Sequence, residues 1–191
     1  MANVDRVNGF RLVGNLNGPH NSRIVEMAVQ AAYGTAIFKG DVVVRGGNAN
    51  SDGIMDCEAA VATGTFDGVV VGIKVNPSVA ATQHPGYIPA STGGTVYVCI
   101  DPNAIYEVQE SGNIGTAGVG MCADITVAAG STTTGASGME IDSTSVLAAS
   151  GQFSIIGHSR RSDNEPANAN SKLLVVPNEV HLRGAGTGID T

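Results

Sequence analysis

Thr95-Val96-Tyr97-Val98-Cys99-Ile100, then Asp101-Pro102-Asn103-Ala104, then Ile105-Tyr106-Glu107-Val108-Gln109, follow one another without interruption. In the first run Val96, Val98 and Ile100 fall on one face and Thr95, Tyr97 and Cys99 on the other. A period of two in β-branched and aromatic residues is the pattern of a half-buried strand. Asp101 can accept a hydrogen bond from the backbone two residues on, and Pro102 holds the φ that the second turn position requires. The last run alternates again, with Ile105, Glu107 and Gln109 opposite Tyr106 and Val108. Strand, turn and strand predict a β-hairpin. It is a scaffold element, with no catalytic group in it.

Composition extends this reading to the whole chain. A length of 191 residues suits one domain with room for a small lobe or an extended arm. A chain of that size buries roughly 70% of its unfolded surface, so its core needs neither metal nor disulfide. There are 23 Val and 13 Ile against 6 Leu, together with 26 Gly. β-branched residues suit pleated sheets, and Gly-rich, Leu-poor sequence makes poor helices. The absence of Trp and the scarcity of aromatics imply a core of small side chains, in thin sheets or a narrow barrel. A net charge of −7 with only 14% charged residues leaves no basic stripe for nucleic acid. Such a surface suits a solvent-facing coat better than a phosphate binder. Cys57, Cys99 and Cys122 are an odd count without C-x-x-C spacing, and they read as small reduced apolar residues. The N-terminus has no apolar segment, and no apolar run approaches ~18 residues, which points to a soluble protein made in a cytoplasm, with no membrane partner.

Along the chain, residues 1–23 read as an N-terminal arm and 24–191 as a β-rich body. Asn8-Gly9, Asn17-Gly18 and Pro19 punctuate the arm, with short apolar pieces at Phe10 and Leu12-Val13 between them. Residues 23–30 have some helix propensity but also alternate, and strand is the preferred reading. Residues 35–38, a turn at Lys39-Gly40-Asp41 and residues 42–45 predict a second hairpin, followed by a flexible loop at 46–53. After an Ala-rich segment and a turn at Phe66-Asp67-Gly68, the run Val69-Val70-Val71-Gly72-Ile73 reads as a strand buried on both faces. Residues 76–94 form a long, Pro-containing loop suited to contact. Further strands are expected at 124–128, 152–157 and 173–176, the last continuing past Pro177 to His181. Residues 130–138 read as polar and flexible. Many short strands with turn signals every ~8–12 residues predict an antiparallel β-barrel or sandwich.

Chemistry is sparse. The glycines at 112, 115, 118 and 120 lack the Gly-Lys-Ser/Thr ending of a phosphate loop, and Gly68 to Gly72 lacks the serine of a nucleophile elbow. His158-Ser159 near Asp163 invites a triad reading, but adjacency in sequence does not create triad geometry. Asp52, Asp56 and Glu58 have no calcium-loop pattern around them and read as a solvated acidic loop. The expectation is a non-enzyme without cofactor or metal.

Several stretches resemble head decoration (cement) proteins of tailed bacteriophages. They are Ala2-Asn3-Val4-Asp5-Arg6-x-Asn8-Gly9-Phe10-Arg11-x-Val13, Lys39-Gly40-Asp41-Val42-Val43, Asp67 to Ile73, Asp101-Pro102-Asn103 to Gln109, residues 130–138, and Phe153 to Glu165. The resemblance spans most of the chain in short pieces, and its motifs are structural. It implies a β-tulip-like coat protein, often a homotrimer, bound to the major capsid protein on the outer surface of an icosahedral virion and made in the host bacterial cytoplasm. It brings no catalytic residue. On this reading the arm orders only on meeting a capsid subunit or a neighbouring copy. Its candidate contact residues are Asn3, Asp5, Arg6, Phe10, Arg11, Leu12 and Val13, with Phe10 as apolar anchor and Arg6 and Arg11 facing acidic groups. A chain lacking residues 2–13 is accordingly expected to keep its fold. The alternative is a virion-surface adhesin or carbohydrate-binding β-module using loops 46–53, 76–94 and 130–138, disfavoured because Tyr87 is their one aromatic residue.

Overall fold

The computed structural model describes residues 3–18, 22–74 and 85–181, and it is all-β. Among these residues the helical structure is one 3-10 turn, Thr116–Gly118. Five strands, β2 (Ile24–Val29), β3 (Val42–Ala49), β4 (Met55–Ala59), β5 (Gly68–Ile73) and β6 (Gly94–Cys99), close a barrel in the order β2-β4-β3-β5-β6. Neighbours are antiparallel except at the seam, where β2 and β4 run parallel with Ala28 beside Asp56. So few strands enclose little space. Met27, Val29, Val43, Cys57, Val70, Val96 and Val98, with Ile37 and Ile88, fill it. This is the core of small side chains that the composition implied.

A second layer packs on the barrel. It is an antiparallel sheet of β1 (Arg11–Asn15), β7 (Ala104–Gln109), β12 (Lys172–Pro177), β11 (Phe153–His158) and β8 (Cys122–Ala123), in that order. Two short strands, β9 (Ile125–Thr126) and β10 (Glu140–Ile141), pair beside it. Phe10, Phe66, Tyr106, Phe153, Leu173 and Val175 fill the space between the layers. Val42, Val69 and Cys99 point into this second core while their neighbours Val43, Val70 and Val98 point into the barrel. The Val69-Val70-Val71 run is therefore buried on two sides, as its sequence suggested. All three cysteines are free thiols. Burial, then the nearby Asp56, Asp67 and Glu58 carboxylates, push the Cys57 thiol up to about 12.

Residues 95–109 do not form the expected hairpin. β6 pairs with β2 and β5 in the barrel, and β7 pairs with β1 and β12 in the sheet. The turn itself is as read: the Asn103 N–H donates to Asp101 Oδ1 at 2.8 Å and the Ala104 N–H to the Asp101 carbonyl at 3.2 Å. It is a corner that carries the chain from one layer to the other. Alternation reports that one face of a strand is buried, not which strand lies beside it.

The second hairpin is also replaced. Ile37 bridges Ile88 and Lys39 bridges Ala136, while β3 pairs with β4 and β5. β3 continues through Gly46 and Gly47 to Ala49, absorbing an irregularity between Arg45 and Ala49, so the expected loop shrinks to residues 50–54. The Ala-rich segment contributes β4. Residues 130–138 are stitched to the 37–40 backbone, Ser137 N–H donating to the Lys39 carbonyl at 3.0 Å. Beyond Pro177 the chain leaves the sheet, and Val180 bridges Phe66. Residues 76–84 of the long contact loop lie outside the described residues.

Candidate docking surface

Residues 3–15 are folded onto the body. At Asn8-Gly9 the chain turns with Gly9 at φ 64°, and a Cβ there would stand 2.4 Å from Ser137 Cβ and 2.8 Å from the Gly40 carbonyl oxygen. Only glycine permits that approach. The next N–H, of Phe10, donates to the same Gly40 oxygen at 3.0 Å, which turns the ring inward. Phe10 is 3% exposed, stacks on Phe153 at 4.6 Å between centroids and meets Tyr106 edge-on at 6.4 Å. The expected apolar anchor for a partner is therefore a core residue of this chain. Leu12, beside Tyr106 in the ladder, packs against the same core. Val13 is half-buried at a register shift between Leu12 and Gly14.

The polar members of the expected contact set lie outside. Asn3 accepts the Glu165 N–H at 2.7 Å and donates to the Glu165 and Ala169 carbonyls at 3.0 Å each, which ties the segment to the 165–169 loop. Gln109 on β7 clamps the next residues, donating to Asp5 Oδ1 at 2.8 Å and accepting the Arg6 N–H at 2.9 Å. Lys172 reaches the Arg6 carbonyl at 2.8 Å and also donates to Gln109. Beneath the segment, burial pushes the Glu140 carboxyl up and the Lys172 ammonium down. Arg11 faces Glu107 across the ladder at 3.6 Å, and Arg161 reaches the same oxygen at 3.4 Å. A recess of about 400 Å³ between segment and sheet is lined by Asn3, Arg6, Arg11, Arg161, Asp163 and Lys172 among others. Asp5, Arg6 and Arg11 are exposed, so this face carries charges of both signs, with Arg11 and Arg161 drawn to Glu107 and Arg161 also to Asp163.

The two ends of the sheet differ. At the β8 end, Leu147 exchanges two backbone hydrogen bonds with Cys122, each 2.8 Å, which closes that edge. At the other end β1 pairs with β7 alone among the described strands. A strand edge of this kind is a template for strand addition, unless its flanking charges select the partner.

Among the described residues, the triad that His158-Ser159 and Asp163 invite is not assembled. His158 lies 3.1 Å from Ser171 Oγ and 3.3 Å from the Gly115 carbonyl, while Ser159 donates to Glu107 at 2.6 Å, so the sequence-adjacent pair is split. A line that sequence reading missed runs from Thr65 Oγ1 to His181 Nε2 at 3.0 Å and from His181 Nδ1 to Asp67 Oδ2 at 3.1 Å. Asp67, however, already holds the Arg45 guanidinium and accepts the Arg45 N–H at 2.7 Å. Its charge is matched, and it offers little to an imidazolium formed in catalysis. The line fastens residue 181 to the barrel. Among the described residues no group of three His, Cys, Asp or Glu side chains is placed to hold a metal. Tyr87, the aromatic a sugar-binding surface would need, stacks on Phe38 at 4.7 Å with one face covered. Compared with protein-family models, curated proteins and solved structures, the chain matches none.

Proposed function

We propose that this chain is a structural virion protein that binds the outer surface of an icosahedral phage capsid and stabilises the shell, as a trimer in contact with the major capsid protein. The observation that carries the reading is the β1 edge, which pairs with β7 alone among the described strands and is flanked by exposed Arg6 and Arg11 on a protein of net charge −7. Backbone groups along such an edge supply affinity, and the two guanidiniums select an acidic partner strand. The stretches that resemble decoration proteins support the same reading, and so does the double core, which ties barrel and sheet into one block. Many copies on one shell need only weak individual contacts, because each closes a lattice already held by its neighbours.

The test is co-sedimentation of the purified protein with expanded capsids that lack it. Saturable binding is expected, and Arg6→Glu with Arg11→Glu should weaken it by about tenfold or more while leaving the melting curve in place. Failure of the unaltered protein to sediment with shells would overturn the proposal.

A further inference from the structure

Asp56 on β4 is 2% exposed, yet its Oδ1 meets no hydrogen-bond donor among the described residues. Oδ2 accepts from the Gln30 side-chain amide. A carboxylate oxygen removed from water without a donor is costly, so a donor arriving from outside would gain what the fold leaves unmet. Asp56 stands at the barrel seam beside Ala28, and two recesses of about 540 and 210 Å³ open against it, with Gln30 and Asp56 common to both. Small residues wall them, Ala28, Ala31, Gly93 and Gly94 in the larger and Gly34 and Gly46 in the smaller. Glu58 lines the smaller one, and among the described residues no Lys or Arg lines either. The local field is negative, the walls leave room for a narrow stem, and the buried end lacks a donor.

We propose that this recess receives a cationic side chain of a partner protein, guanidinium or ammonium. Its charged end donates to the Asp56 carboxylate, reaching the covered Oδ1 as the Gln30 side chain turns aside, and its aliphatic stem lies along the Ala and Gly walls. The proposal rests on the surface-binding reading above only for the partner being a protein. A hard divalent ion would need more oxygen ligands than Asp56 and Glu58 supply as carboxylates.

The experiment uses the intact free protein and no capsids, so its outcome is separate from that of co-sedimentation. Nα-acetyl-arginine methylamide is titrated against the ¹⁵N-labelled protein, with the neutral citrulline counterpart as control. A saturable shift of the Gln30 side-chain amide is expected with the arginine probe, with citrulline weaker by about tenfold or more. Asp56→Asn should cost about tenfold in affinity and Glu58→Gln, at an exposed site, a smaller factor. If Asp56→Asn fails to fold, the citrulline comparison and Glu58→Gln decide the matter. Equal binding of the two probes, no shift at Gln30, an unchanged affinity in a folded Asp56→Asn protein, or preferential saturation by calcium would each overturn the proposal. Sedimentation velocity distinguishes the sources of the cation. An assembly state unaltered by Asp56→Asn is expected and assigns it to a different protein. An assembly that the substitution dissociates would overturn that assignment in favour of a second copy.

Discussion

Phe10 and Asp41 show how much single side chains decide here. Phe10 packs between Phe153 and Tyr106 in the core that joins barrel to sheet. Phe10→Ala is expected to cost about 3–5 kcal/mol in urea unfolding, whereas exposed Arg6→Ala should change stability by no more than about 0.5 kcal/mol. Asp41 is buried and accepts the Phe38 N–H at 2.7 Å. Burial raises its carboxyl from 3.8 to about 6, against the opposing hydrogen bonds from Ser137 and Phe38. The native state thus binds this proton more tightly than the unfolded chain does. The associated stability is fully present below about pH 4 and is lost as pH rises through about 6, on the order of 3 kcal/mol at most. Asp41→Asn should remove that descending slope between about pH 4 and 6, as read from unfolding free energies across the range. An unaltered slope would show that other groups set it.

At the level of strands, alternation locates β2, β6 and β7, a continuous apolar run locates β5, and the short apolar stretches at 42–45, 152–157 and 173–176 locate the start of β3, β11 and β12, which together give the all-β class. Alternation did not reveal partners: residues 95–109 contain two good strands and a good turn, yet the strands enter different layers because each finds two better neighbours. Gly46-Gly47 and the Ala-rich stretch after Ile54 have loop-like composition, but backbone pairing is indifferent to side chain, and β3 and β4 run through them. β1 was hidden for a similar reason, being short and interrupted at Gly14, with its one large apolar neighbour, Phe10, isolated between Gly9 and Arg11. The site was less readable than the fold. Arg6 and Arg11 could be picked out as exposed charges, but the burial of Asp41, Asp56 and Asp67 depends on residues distant in sequence. The Lys-Gly-Asp and Asp-Gly steps before Val-rich runs were the available signal for two of them. Because β1 completes the sheet and Phe10 the core, deleting residues 2–13 should lower the melting temperature by more than Phe10→Ala alone, contrary to expectation for a free arm. Circular dichroism melts of the two variants check this, and a deletion that melts like the full chain would contradict the packing described.

For the whole molecule, the organising fact is that one barrel wall serves two cores. Val43, Val70 and Val98 fill the barrel while Val42, Val69 and Cys99 hold the sheet, so neither layer can shift without disturbing the other. On the proposed reading such a block resists outward strain on a shell, and contact falls to its margins: the β1 edge, the charged ridge beside it and the recess at the barrel seam. Cryo-electron microscopy of the purified virion tests this account most directly. It predicts barrel-and-sheet density on the outer capsid surface, three copies around local three-fold positions, with the β1 edge turned toward the shell. Density confined to the tail or its fibres, or a capsid surface without this protein, would contradict it.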